Sequence, residues 1–172
     1  LGEDERVITS VDLEEIIAHQ PERIAEMKEI VFIQCVGRVG KLDYCSRTCC
    51  TNTMKNAILI KKINPACEVY VLYKDLITYG FREQYYTEAR ERGVIFLRYR
   101  DDEAPRVESL NGELLVKVKD LTLGRELTFA PDLLSLSMAI LPAPSNPKLA
   151  RLLGLPLSSE GFFMEDNLKL RP

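Results

Sequence analysis

The sequence has no apolar run long enough to cross a lipid bilayer, and its first residues, LGEDERVITS, lack the charged and then apolar order of a secretory signal. It also lacks a strong charge imbalance, since 23 basic residues accompany 26 acidic ones and the formal charge is −3. Such a balance provides no general attraction to nucleic acid or to anionic lipid. We therefore expect a cytoplasmic protein that binds neither nucleic acid nor a membrane.

Cysteine is almost confined to one stretch of the chain. Four of the five cysteines lie within residues 31–60, and these are Cys35, Cys45, Cys49 and Cys50. An odd number of cysteines in one cluster argues against an extracellular disulfide framework and favours metal binding in a reducing compartment. The fifth, Cys67, is expected to be a small structural thiol. The single histidine, His19, has no orienting partner nearby in the sequence and is expected at a helix end on the surface.

The four clustered cysteines follow the spacing Cys, nine residues, Cys, three residues, Cys-Cys. Thiolates are soft ligands that suit zinc or an iron–sulfur cluster. Structural zinc sites usually use cysteines two to four residues apart, whereas neighbouring side chains diverge and reach a larger cubane more easily. The start of a helix and the cations Arg38, Lys41, Arg47 and Lys55 would complement a negative cluster. The pattern favours an iron–sulfur cluster, with zinc or unligated cysteines as the alternatives.

A second absence is the G-x-G-x-x-G fingerprint that usually binds NAD(P) after the first strand of a dinucleotide-binding fold. Here Gly37 and Gly40 are followed by a longer loop that contains Cys45. The second predicted strand also runs into Tyr73 and Lys74 before the first carboxylate, Asp75. We therefore do not expect NAD(P) binding in this domain.

The apolar pattern predicts an α/β fold. Residues 30–36 form a continuous apolar run suited to a strand buried on both faces, and residues 68–73 and 94–99 are predicted to be strands as well. A helix is predicted to begin at Cys49 and to stop before Pro65. A second is predicted over residues 81–92, with Phe81, Tyr85 and Ala89 on one face. This order predicts a Rossmann-like, three-layer βαβαβ domain.

Short strands follow the α/β region. Asn111 and Gly112 between apolar alternations predict a two-residue hairpin. Residues 113–119, 125–130 and 133–139 are then predicted to be strands of one antiparallel β-meander, as in a pyridine-nucleotide domain. This meander would complete the Rossmann-like domain.

The chain ends are predicted to be separate from that domain. Residues 1–29 are predicted to be an N-terminal helical arm or linker, with a capping box formed by Thr9 and Asp12. Residues 30–141 are predicted to be the cluster-bearing domain. Residues 142–172 are predicted to be a C-terminal helix, capped by Asn146 and ended at Gly154, with an extended segment after it.

The strings FIQCVG and YCSRTCC, followed by a helix, resemble the A-type subunits of heterodisulfide reductase, a family of flavoproteins whose core is similar to thioredoxin reductase. The resemblance runs nearly from end to end. It implies that Cys35, Cys45, Cys49 and Cys50 bind a [4Fe-4S] cluster and that Lys55 lies near the flavin. It implies FAD in a longer parent protein, of which this chain resembles the middle part, without a complete FAD site of its own.

The resemblance also implies an electron-transfer domain that relays electrons between FAD and partner iron–sulfur subunits. The partners would be heterodisulfide reductase subunits of the B and C type and hydrogenase or formate dehydrogenase components, and a homodimer is left open. The parent would be an oxidoreductase, whereas the isolated domain would not be catalytic alone. The alternatives are an interaction domain with a zinc or vacant cysteine site, or an enzyme that uses Cys49 or Cys50 as a low-pKa nucleophile.

Overall fold

The computed structural model describes residues 2–38 and 42–164. The chain divides into two compact units, Leu1–Ala139 and Ile140–Pro172. No helix in the described parts of the chain is long and apolar enough to cross a membrane. The boundaries predicted after residues 29 and 141 remain predictions.

The first unit is built on a five-stranded sheet. Its strands are β1 (Val7–Thr9), β2 (Glu29–Val36), β3 (Glu68–Tyr73), β4 (Ile95–Arg98) and β8 (Leu133–Met138). Their order across the sheet is β1-β8-β2-β3-β4, and each neighbouring pair is parallel. Since β2 is buried over nearly its full length, its continuous apolar run has the environment expected of a central parallel strand. The three predicted central strands are confirmed.

One face of this sheet is covered by helices α1 (Ser10–His19), α2 (Pro21–Glu26), α3 (Cys49–Ile63) and α4 (Glu83–Glu91). The predicted capping box is present, because the Thr9 side chain accepts from the Asp12 N–H and the Asp12 carboxylate accepts from the Thr9 N–H. Leu13 of α1 and Ile24 of α2 are fully buried. They join Met54 and Ala57 of α3 in the core on this face. The two N-terminal helices are therefore part of the hydrophobic core.

The other face is covered by a three-stranded antiparallel sheet of β5 (Arg106–Leu110), β6 (Glu113–Asp120) and β7 (Arg125–Phe129). Val116 and Val118 of β6 pack with Val31 and Ile33 of β2 in a second core. Helices, parallel sheet and antiparallel sheet thus form three layers, as predicted. The Asn111-Gly112 hairpin is also confirmed, since both residues have positive φ, 53° and 84°, which a type I′ turn requires.

The predicted place of residues 133–139 was wrong. The sequence pattern favoured the antiparallel meander, but β8 lies in the parallel sheet between β1 and β2. Leu133, Leu134 and Ser135 of β8 are all buried. A strand covered on both faces suits a central parallel position better than the edge of a meander.

The face predicted for the second helix was also wrong. Phe81 is 90% exposed, whereas Ala89 is fully buried. Phe81 belongs to a short 3-10 turn, Gly80–Arg82, and the α-helix begins only at Glu83. Because the 3-10 turn has three residues per turn, the four-residue spacing does not hold across it. Tyr86 rather than Tyr85 faces the sheet, and its ring lies 4.9 Å from that of Phe96.

The second unit contains helix α5 (Asn146–Leu153). The helix ends at Gly154 as predicted, with φ 66° in the left-handed region. The predicted capping role of Asn146 was wrong, since Ser145 holds the N-cap position without a side-chain cap. Asn146 instead donates from Nδ2 to the Gly161 carbonyl at 3.0 Å. The extended segment was predicted over residues 161–172, of which residues 165–172 lie outside the described residues.

Candidate metal centre

The four clustered cysteines lie around the carboxyl end of β2. Cys35 is the penultimate residue of that strand, Cys45 lies in the segment that follows it, and Cys49 and Cys50 are the first residues of α3. The loop after β3 completes the surroundings, because the Asp75 carbonyl lies 3.7 Å from Cys35 Sγ and 3.9 Å from Cys50 Sγ. The carboxyl edge of an open parallel sheet is where such folds bind ligands.

A β-bulge turns Cys35 toward this loop. The pairing of β2 with β8 shifts register between Ile33 and Val36, and Cys35 has φ 62° in the left-handed region. In a regular strand, Gln34 and Cys35 would point to opposite faces. Here Gln34 donates to Thr53 Oγ1 of α3 at 2.6 Å, while the Cys35 thiol shares the Asp75 carbonyl with Cys50, also of α3. Bulges are used in this way to redirect side chains near functional sites.

Tyr99 donates a side-chain hydrogen bond to the backbone of the bulge. Its side chain is 2% exposed, and its hydroxyl donates to the Gln34 carbonyl at 2.7 Å. Burial raises the pKa of the Tyr99 phenol, so it stays a protonated donor at neutral pH. The bulge is therefore held by a side chain that follows β4.

We expect Tyr99→Phe to lower the free energy of unfolding by about 1–3 kcal/mol, because the buried Gln34 carbonyl would lose its partner. Urea denaturation followed by circular dichroism measures the change. Tyr85→Phe, at a half-exposed position, is the matched control. Equal stability of the two variants would contradict the role given to Tyr99.

Cys49 and Cys50 interact directly. The neighbouring Cys49 thiol lowers the pKa of Cys50 to about 7, helped by the Ile77 N–H, which lies 3.4 Å from Cys50 Sγ, and by the charge of Arg38. The pKa of Cys49 is raised, because Cys50 lies beside it and because burial disfavours a second thiolate. Of the two adjacent thiols, Cys50 is therefore the one whose thiolate is favoured.

The sulfur of Cys45 also accepts a hydrogen bond. The Arg47 N–H donates to Cys45 Sγ at 3.3 Å. Arg47 has φ 63°, so it and Cys35 are two of the three non-glycine residues with positive φ in the described parts of the chain. Such conformations cost roughly 1–3 kcal/mol each and concentrate at functional sites. The backbone is therefore strained on both sides of the cysteine-bearing loop.

Buried polar side chains connect β2, α3 and β8 beside the cysteines. Thr53 Oγ1 accepts from Gln34 and lies 3.2 Å from Ser137 Oγ, which lies 3.3 Å from Ser10 Oγ. These contacts link α3 to both β2 and β8, and Ser10 extends them to α1.

The remaining cations differ in position. Lys55 pairs its ammonium with Glu14 of α1 at 2.9 Å, and its role near a flavin stays a prediction. Lys41 lies outside the described residues.

Within residues 2–38 and 42–164, no three or more His, Cys, Asp or Glu side chains form a group that could hold a metal ion. The ligand role of the four cysteines therefore also stays a prediction.

The donor set nevertheless suits an iron–sulfur cluster. Iron–sulfur clusters are bound by cysteine thiolates, and their properties depend on hydrogen bonds to sulfur, net charge and exposure. Backbone N–H groups point at Cys45 and Cys50, and Arg38 Nη1 lies 3.9 Å from Cys35 Sγ. Each of these groups would stabilise a thiolate or an anionic cluster. The chemistry of the residues therefore fits the cluster implied by the sequence.

Cys67 lies apart from this group, in the helix-side core, and is fully buried. Burial raises the pKa of its thiol to about 11 from an ordinary value of 9.0. The neutral thiol therefore contributes stability below pH 9, and this contribution is lost as the pH rises toward 11. Cys67 has the structural role that the sequence predicted.

We expect iodoacetamide at pH 8 to alkylate Cys67 at least about 100-fold more slowly in the folded protein than in urea, because the raised pKa lowers the thiolate fraction and burial blocks access. Mass spectrometry of the peptide containing Cys67 measures the rate. Similar rates in the folded and the unfolded chain would contradict its burial.

Sequence reasoning missed the roles of Asp75, Ile77 and Tyr99. From the sequence, Asp75 was considered only to argue against a ribose ligand, although its place just after β3 put it at the same sheet edge as Cys35. That topological signal was available. Nothing in the local sequence marked the Tyr99 hydroxyl or the Ile77 N–H as partners of residues 25 or more positions away.

The chain has clear relatives among known proteins. It is 42% identical over 189 residues to the iron-sulfur A-type subunit of CoB–CoM heterodisulfide reductase from Methanocaldococcus jannaschii, covering 99% of this chain and 28% of that protein. It is 41% identical over 150 residues to the A-type subunit of ferredoxin:CoB-CoM heterodisulfide reductase from Methanosarcina acetivorans, covering 84% of this chain and 18% of the relative. The A-type subunit of H2/formate:CoB-CoM heterodisulfide,ferredoxin reductase from Methanococcus maripaludis is 36% identical, with 99% and 28% covered. The chain thus spans less than a third of the length of each of these relatives, and no protein-family model matches it.

Solved structures show the same fold. Thioredoxin reductase of T. acidophilum superimposes with a TM-score of 0.56 and 14% sequence identity, over 97% of this chain and 46% of that one. This similarity supports the thioredoxin-reductase-like α/β architecture and, at such low identity, the fold alone. The sequence relatives carry the family assignment: this chain is homologous to one segment of the A-type subunits of heterodisulfide reductase.

Proposed function

We propose that this chain is an electron-transfer segment of a flavoprotein similar to the heterodisulfide reductase A-type subunits and binds a [4Fe-4S] cluster through Cys35, Cys45, Cys49 and Cys50. The observation that carries the proposal is the β-bulge in β2, which places the Cys35 thiol on the same Asp75 carbonyl as Cys50 of α3. The bulge gives Cys35 a positive φ of 62°, a conformation that costs free energy in a non-glycine residue. It is explained if Cys35 must act together with the cysteines of α3.

The protein groups around the cysteines would each contribute to such a site. The Arg47 and Ile77 N–H groups would donate to the thiolates of Cys45 and Cys50. Hydrophobic packing of β2 and α3 would limit access of water from the core side. When bound, the cluster would supply one-electron chemistry, which four thiolates alone cannot.

The wider role follows from the relatives and is part of the same proposal. Their names specify an iron–sulfur protein and reductases that act with ferredoxin, H2 or formate. We place this segment between the FAD of the parent protein and its iron–sulfur partners, which are subunits of the B and C type or components of hydrogenase and formate dehydrogenase. Lys55 would lie on the flavin side. A cytoplasmic location suits reduced, metal-binding thiols.

Anaerobic reconstitution of the chain with iron and sulfide tests the proposal. We expect iron and acid-labile sulfide in equal amounts and a broad visible absorption in the blue that bleaches with dithionite. Zinc bound without sulfide, or folded protein with no metal at all, would favour the interaction domain instead. Electron paramagnetic resonance of the reduced sample then identifies the cluster type.

A further inference from the structure

A tight turn after β2 places the Arg38 side chain beside the thiol of Cys35. The Arg38 N–H donates to the Cys35 carbonyl at 3.1 Å, and Gly37 between them has φ 91°. A side chain at Gly37 would be strained at this φ, and its Cβ would lie 3.3 Å from Cβ of Ala139. The turn therefore depends on glycine, and it brings the Arg38 guanidinium to 3.9 Å from Cys35 Sγ.

An ion pair with Asp75 also holds the Arg38 side chain in this position. Its Nη1 donates to Asp75 Oδ2 at 3.1 Å, and the side chain is only 15% exposed. Arg98 lies 3.8 Å from the other oxygen of Asp75. The Nε of Arg38 is buried and has no hydrogen-bond partner within the described residues. A largely buried cation thus lies beside the Cys35 thiol.

We propose that the paired charges of Arg38 and Asp75 set the reduction potential of the cluster that Cys35 would ligate, with Arg38 raising it and Asp75 lowering it. This inference rests on the proposed function. Reduction adds one electron and hence one negative charge to the cluster, and a cation nearby stabilises that charge. The carboxylate of Asp75 opposes the effect, and its distance is fixed by the same ion pair. Both are positioning residues, since neither is proposed as a ligand.

Removing the charge of Arg38 and removing the charge of Asp75 should shift the reduction potential in opposite directions. This difference separates an electrostatic role from a structural one. Asp75 also supplies the carbonyl that contacts Cys35 and Cys50, so loss of the ion pair in either variant would loosen the same loop. A loosened loop would move the potential in the same direction in both variants. An electrostatic role moves it downward in Arg38→Gln and upward in Asp75→Asn.

The test is a redox titration of the anaerobically reconstituted chain, followed by absorption and electron paramagnetic resonance. At a fixed solution potential we expect Arg38→Gln to lower the ratio of reduced to oxidised cluster about tenfold, which equals about 59 mV for a one-electron couple. Asp75→Asn should raise that ratio, and Arg38→Lys should stay within about threefold of the natural chain. Arg106→Gln, which removes the same charge from an exposed position in β5, is the matched control and should change nothing.

Shifts of the same sign in Arg38→Gln and Asp75→Asn, or no difference between Arg38→Gln and Arg106→Gln, would overturn the inference while leaving the cluster in place. If Arg38→Gln does not retain a cluster, the other two variants test the inference. An unchanged reduction potential in Arg38→Lys together with a raised potential in Asp75→Asn supports the charge role. Any other pair of results overturns it. Failure of the natural chain to bind a cluster would overturn the proposed function together with this inference.

Discussion

Serine in place of Cys35, Cys45, Cys49 or Cys50, one at a time, is expected to abolish stable cluster incorporation during anaerobic reconstitution. A serine hydroxyl is a harder donor that stays protonated at neutral pH, so one iron would lose its anionic sulfur ligand. The expected effect is a fall in bound iron and sulfide from near-stoichiometric to near zero. Iron and sulfide analysis after gel filtration measures it.

Cys67→Ser is the matched control for this series. It makes the same chemical change to a cysteine that is buried in the helix-side core, away from the carboxyl edge of the sheet. We expect it to load iron and sulfide like the natural chain, although a polar serine in that core lowers stability. Full loading of Cys45→Ser, or loss of loading in Cys67→Ser, would show that the wrong four cysteines have been chosen.

Leu13→Ala is expected to lower the free energy of unfolding by about 2–5 kcal/mol, because Leu13 is fully buried between α1 and the sheet and alanine would leave a cavity. A loss of this size is a large fraction of the stability of a domain. Urea denaturation of the reduced chain, followed by far-ultraviolet circular dichroism, measures it. The prediction tests whether the N-terminal helices belong to the core.

Val11→Ala is the control on the same helix. Val11 is 68% exposed, so its truncation should change the free energy of unfolding by no more than about 0.5 kcal/mol. Equal midpoints for Leu13→Ala and Val11→Ala would mean that α1 behaves as a detachable arm in solution. The denaturant slope should be the same in both variants, so that the midpoints can be compared directly.

Features that depend on neighbouring residues were predictable from the sequence. The capping box at Thr9 needs only Asp12 three positions on, and the hairpin at Asn111 needs only Gly112. The helical period after Cys49 placed Met54 and Ala57 in the core. In each case the decisive interaction lies within one or two turns of chain, so local pattern and structure agree.

The candidate site was predictable in composition but not in arrangement. The spacing of the four cysteines identified them as a set, and their soft sulfur chemistry narrowed the cofactors. The sequence could not show that a left-handed residue at Cys35 would turn its thiol away from the regular alternation. Nor could it show that Asp75, forty positions later, would contact Cys35 and hold Arg38.

The sequence by itself determined the α/β class, the first helix cap and the hairpin, because these depend on residue type and short-range periodicity. The set of four cysteines as ligands stays a prediction. Only the tertiary structure decided that β8 inserts beside β2, that Tyr99 satisfies the Gln34 carbonyl, and that Arg38 lies between a thiol and a carboxylate. An apolar strand can pair in parallel or antiparallel with equal local preference. The strands that it pairs with are those that allow both of its faces to be buried. That burial depends on segments more than one hundred residues away in the chain.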